Sequence, residues 1–68
     1  MKSIATELVS DFIYNQINNL YVEEIIIKAK AHALTCQTIL DYYGGGLSVD
    51  LYDWCENEIQ ILREGGLI

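Results

Sequence analysis

The chain has 68 residues, with four Lys/Arg against ten Asp/Glu, a formal net charge of −6, no proline and two cysteines. Half of it is hydrophobic (51%), too much for a disordered segment. The length allows one domain, residues 1–68, and excludes a two-lobed enzyme, a full nucleotide-binding fold or a repeat array.

The first segment runs from about Ser3 to Asn18. Its apolar residues Ile4, Ala5, Leu8, Val9, Phe12, Ile13 and Ile17 recur as pairs every four residues. That spacing makes one broad helical stripe. Ser3 is a suitable N-cap. Asn15, Asn18 and Asn19 weaken the helix at its far end, because their amides compete for the backbone.

The second segment runs from about Tyr21 to Tyr43. Glu23 and Glu24 fall in its first turn, where the macrodipole favours acids. Glu24 and Lys28 have the favourable four-residue spacing. Val22, Ile26, Ala29, Ala33, Cys36, Leu40 and Tyr43 alternate gaps of four and three, an unbroken heptad seam. A second row, Ile27, Ala31, Leu34 and Thr38, lies on another face. A helix apolar over most of its circumference is buried over most of it. This segment is therefore the expected central helix, and its alanines allow another backbone to approach. Gly44, Gly45 and Gly46 end it, with one of them expected in the left-handed position beyond the last turn. The run lacks the lysine and the spacing of a phosphate-binding loop.

The third segment runs from about Val49 to Glu64. Ser48 is its expected N-cap, and Asp50 and Asp53 lie near the positive end of the dipole. Leu51, Cys55, Ile59 and Leu62 form its apolar row. Gly65 and Gly66 stop it, and Leu67 and Ile68 are placed to fold back.

Short turns make consecutive helices antiparallel. The expected fold is all-α: a compact three-helix bundle with a central, largely buried second helix. Counted from the triple glycine at 1.5 Å per residue, Cys36 and Cys55 both stand about 10 Å from the turn and should face each other. The same count sets Leu40 against Leu51 or Tyr52, Ala33 against Ile59, and Ala29 against Leu62. The alternative topology fuses the first two segments into one long helix. The apolar load exceeds what three short helices hide easily, so a homodimer is expected, with Ile26, Ala29 and Ala33 at its seam.

No signal peptide is visible, because Glu7 and Asp11 interrupt the early apolar run, and no run is long enough to cross a bilayer. The expected compartment is the cytoplasm, with both thiols reduced. Charge is unevenly spread: residues 1–40 hold four acids and three bases, whereas residues 41–68 hold six acids and one base. Direct nucleic-acid binding needs a basic surface, so no direct nucleic-acid or membrane role is expected, and the expected partner is a basic protein.

Candidate chemistry is sparse. His32 and Cys36, four apart on one helix, share a face, and with Cys55 opposite they form the one set with zinc-type ligands. Both cysteines sit inside clean apolar rows, where free Cys packs as a small hydrophobe. No cofactor or metal is expected, and a thiol or metal switch is a minor alternative. A Cys–His nucleophile needs an activated thiolate and a cleft, for which a small bundle has little room, so the chain is not expected to be an enzyme.

Asp50, Asp53, Asn57, Gln60 and Glu64 recur at gaps of three and four on the third helix, with Glu56 beside them and Asp41 across the turn. Such a row imitates spaced phosphates or docks on an arginine-rich cleft; it is equally the pattern of a solvated helix face. Tyr42, Tyr43, Tyr52 and Trp54 cluster near the glycine turn. Trp54 is either an interface anchor or packed on the first helix. The expected partner-binding set is Tyr42, Asp50, Tyr52, Asp53, Trp54 and Glu56. The expected function is a small acidic non-catalytic binding protein that inhibits or regulates a larger, basic, nucleic-acid-binding protein. In size and charge alone the chain resembles the small acidic inhibitors of bacterial immunity, the anti-CRISPR and antirestriction proteins; no motif carries that likeness. A homo-oligomeric helical adaptor is the alternative.

Overall fold

The computed structural model describes residues 1–17 and 21–68. Three α-helices follow in order: α1 (Ile4–Asn15), α2 (Val22–Tyr43) and α3 (Val49–Glu64). A single 3₁₀ turn, Gly44–Gly46, joins α2 to α3. All three helices pack on one another, so the first two segments form a hairpin and not one fused helix. The expected reach of α1 to Asn18 ends at a residue outside those described; within them, Gln16 and Ile17 are already a turn.

Local chemistry sets the helix boundaries. Ser3 and Ser48 are both N-caps, accepting hydrogen bonds from Thr6 N–H at 3.0 Å and from Leu51 N–H at 3.3 Å. Each relieves one of the donors that a helix start leaves unpaired. At the end of α3, Gly66 adopts φ +80°. Its N–H donates to Arg63 C=O, and Leu67 N–H reaches back to Leu62 C=O at 3.0 Å. This is a Schellman closure. The contact that accompanies it is present: Leu62 and Leu67 are both buried in one cluster.

The glycine run behaves differently from expectation. Among the described residues only Gly66 has positive φ. Gly44 is right-handed at φ −49°, ψ −41°. The chain tightens into a 3₁₀ turn, then extends at Leu47 (φ −80°, ψ 150°) straight into the Ser48 cap. That route reverses direction without a left-handed residue.

The core has two parts. The first holds Ala5, Leu8, Ile25, Ala29, Leu62 and Leu67, with Val9, Phe12, Ala33 and Ile61 packed on it. The second holds Cys36, Cys55 and Ile59, with Ile39, Leu40, Leu51 and Trp54. The expected pairings of Cys36 with Cys55, Leu40 with Leu51 and Ala29 with Leu62 each fall within one cluster. Ala33 packs on the first cluster and Ile59 belongs to the second. Of the row expected at a dimer seam, Ala29 is fully buried inside the chain, whereas Ala33 and Ile26 are half-buried; α2 as a whole is not largely buried as expected, because with one short and one medium helix to pack on it buries only Ile25, Ala29 and Cys36 of its 22 residues. Tyr43, the last member of that heptad row, is exposed.

Helix lengths then decide the shape. α1 has 12 residues and α2 has 22, so α1 spans about half of its neighbour. The start of α1 meets Glu58, and Val9 lies against Gly65, so α1 runs parallel to α3. The half of the α2–α3 hairpin nearest the glycine turn therefore projects past α1 as a two-helix arm. The molecule is correspondingly long, 43 × 17 × 16 Å. No helix is long and apolar enough to cross a membrane among the described residues.

Candidate functional site

The arm begins at a buried polar group that the sequence reading missed. Glu58 is 1% exposed. It occupies a position in the row Leu51, Cys55, Glu58, Leu62, where the helix period calls for an apolar residue. Its carboxylate accepts four hydrogen bonds: Ser3 O–H to Oε2 at 2.6 Å, and Ile4 N–H at 2.8 Å, Ala5 N–H at 3.0 Å and His32 Nε2–H at 2.9 Å to Oε1. Three of these come from the first turn of α1. A negative charge there is favoured by the macrodipole and relieves the unpaired amides. Ser3 Oγ in turn accepts from Thr6 N–H and from Thr6 O–H at 2.8 Å. No buried side-chain N or O lacks a partner among the described residues.

Electrostatics follow from that coordination. Burial pushes the Glu58 carboxyl upward, but the hydrogen bonds from Ser3, Ala5, His32 and Ile4 together outweigh it and hold its pKa below the ordinary 4.5. The group is thus an ionised carboxylate at neutral pH, which requires His32 to carry its proton on Nε2. Along the hairpin, the Glu58–His32 pair marks the point where the first core cluster gives way to the second.

Cys36 Sγ lies 3.7 Å from His32 Nε2. The trio Cys36, His32 and Glu58 has the composition of a nucleophile, base and acid. Its geometry is not that of a relay, because both partners meet the same ring nitrogen, whereas a relay needs one on each. Burial, aided by the neighbouring Cys55 thiol and by Glu58, pushes the Cys36 thiol up to about 12. Both cysteines are free and fully buried, so Cys36 is not poised as a thiolate. No group of three His, Cys, Asp or Glu is placed to hold a metal ion among the described residues.

Trp54 meets both the N-terminal segment and α2. It is half-buried, its indole N–H donates to Lys2 C=O at 3.3 Å, and its ring meets His32 edge-on at 5.8 Å. Its polar edge is therefore used by the N-terminal segment, where it braces the arm's base.

The other five expected partner residues, Tyr42, Asp50, Tyr52, Asp53 and Glu56, are all exposed, and all lie on the arm. Residues 31–62 contain five acids and no Lys or Arg. Apart from Glu58, the arm's acids have no cation within 4.0 Å among the described residues, whose ion pairs are Lys2–Glu7 and His32–Glu58. Asp41 and Glu64 each accept only from a glutamine, Gln37 and Gln60, at 2.9 Å. A groove between α2 and α3 is lined by Asp41 and Glu56 with Tyr52, Leu40 and Ile59, and reaches Arg63. Tyr42 and Tyr43 meet at a tilt, 6.5 Å apart, beside the glycine turn. The arm can thus offer carboxylates and aromatic rings to a cationic surface without first breaking internal ion pairs. No protein-family model matches the chain, and no curated protein or solved structure gives a significant match.

Proposed function

We propose that the protein is a small acidic, non-catalytic binding protein whose two-helix arm inserts into a basic site on a larger nucleic-acid-binding protein. The observation that carries this reading is the arm itself. It is a projecting stretch of about 16 Å with exposed carboxylates at Asp50, Asp53 and Glu56 that pair with no cation among the described residues, and no Lys or Arg between Lys30 and Arg63. Carboxylates spaced along a helix occupy the positions that phosphates take on an arginine-rich surface, and long-range attraction then speeds the encounter. Tyr42 and Tyr52 add rigid contact area of the kind that anchors interfaces.

The test is capture of basic proteins from lysate on immobilised protein, with elution by salt and, separately, by duplex DNA. Nucleic-acid-binding proteins released by both eluents are the expected result, and the triple variant Asp50→Lys, Asp53→Lys, Glu56→Lys should lose them. Equal capture by that variant refutes the reading.

One observation favours a second reading, a homo-oligomeric module. Ile27 and Leu34, seven apart on α2, are 66% and 69% exposed, and Ala31 and Thr38 between and beyond them are exposed too. A homodimer through this row would leave Ala29, which is buried inside the chain, out of its seam. Light scattering at rising concentration decides: a salt-resistant dimer that Leu34→Glu abolishes supports it, and a monomer throughout excludes it.

A further inference from the structure

The paired thiols at the base of the arm carry an inference that does not depend on what the arm binds. Cys36 of α2 and Cys55 of α3 are fully buried in the same small cluster, on packed helices and at matching distance from the glycine turn. Ile59 is the other buried member of that cluster, and Ile39, Leu40, Leu51 and Trp54, which pack around it, are only partly buried. No third helix covers it, because α1 starts level with Glu58. The arm is therefore the part of the molecule with the least holding its two helices together. Local opening free energies scale with such packing, so the arm parts before the three-helix end does.

We infer that Cys36 and Cys55 form an intramolecular disulfide when the protein meets a disulfide oxidant such as oxidised glutathione, and that this bond staples the arm's two helices. When the arm opens, the first cysteine to reach solvent loses its proton and attacks a glutathione sulfur. The glutathione S–S bond breaks, one glutathione thiolate leaves, and a mixed disulfide remains. As the arm closes, the second cysteine, deprotonated in turn, attacks the protein sulfur of that mixed disulfide and expels the second glutathione thiolate. The two protons end on the two glutathione thiols, and two protein thiols have been oxidised by one glutathione disulfide.

The experiment uses the whole folded chain in native buffer with oxidised glutathione, read by intact mass, peptide mapping and thermal unfolding. The expected product is a monomer lighter by two hydrogens, with a Cys36–Cys55 cross-linked peptide. Its melting temperature should rise by roughly 13–26 °C, because the bond closes a loop of about 20 residues in the unfolded state. Cys55→Ala should give only a glutathione adduct and no such rise. Chains of the native sequence that end as stable glutathione adducts, as disulfide-linked dimers, or with both thiols unreacted while a denatured control oxidises would each overturn the inference.

Discussion

Replacing Glu58 by glutamine separates shape from charge at the buried carboxylate. Glutamine fills the same space, and its carbonyl can keep the donors now on Oε1: Ile4 N–H, Ala5 N–H and His32 Nε2–H. The loss falls on the other oxygen. An NH₂ group there faces Ser3 Oγ, which already accepts from Thr6 N–H and Thr6 O–H, so both lone pairs are taken and a third donor has no acceptor. One hydrogen bond to a charged group disappears, worth about 2 kcal/mol. For a domain with a net stability of roughly 3–5 kcal/mol, that is about half. Thermal unfolding should move down by roughly 8–16 °C.

The pH profile gives an independent check. The folded-state pKa of Glu58 lies below its ordinary value of 4.5. Its contribution is therefore fully present above pH 4.5 and is lost as pH falls through the folded-state value. Glu58→Gln should flatten that acid limb while lowering the neutral-pH plateau. Urea titrations from pH 7 down to pH 2 on both proteins measure the two effects. A plateau within 0.5 kcal/mol of the unsubstituted chain (on the order of an ordinary surface change), or an unchanged acid limb, would refute the assignment of Glu58 as an ionised cap.

Three further outcomes follow from packing. Gly65→Ala should cost about 1–3 kcal/mol, since a Cβ there would stand 2.6 Å from Val9 Cγ2; adding Val9→Ala should recover part of it, and no recovery in a double-mutant cycle counts against the clash. Gly66→Ala meets open space but a φ of +80°, so about 1 kcal/mol is expected from backbone strain alone, with no rescue by Val9→Ala. Ile27→Glu with Leu34→Glu should change the unfolding free energy of the monomer by less than about 0.5 kcal/mol, because both side chains are mostly exposed; a larger loss in chemical denaturation shows that they pack.

The helices were legible because their signals are local. Ser48, the heptad gaps and the paired glycines placed α3 at Val49–Glu64, and counting back from the glycine turn brought Cys36 to Cys55. What escaped was whatever depends on residues far apart in the chain. Glu58 carries a faint mark, an acid in an otherwise apolar row, yet nothing near it in sequence names its partners, which lie 26 and 55 residues away. Trp54 likewise gives no sign in its own neighbourhood of its contact with the Lys2 carbonyl, 52 residues away. The row Ile26, Ala29, Ala33 reads the same whether a helix of its own chain or of another covers it, and only the packed fold shows that Ala29 is buried from within.

The cap of α1 also bears on the order in which the chain acquires structure. A helix of 12 residues is marginal on its own, and the group that accepts the first amides of α1 lies 54 residues downstream of Ile4. During synthesis α1 leaves the ribosome before α2 and α3 and waits for its cap until both have followed. The α2–α3 hairpin, joined by a short turn, needs only nearby contacts and should form sooner. Folding of the bundle then ends when α1 docks onto α3, and proteases in the meantime should find their first accessible bonds in α1.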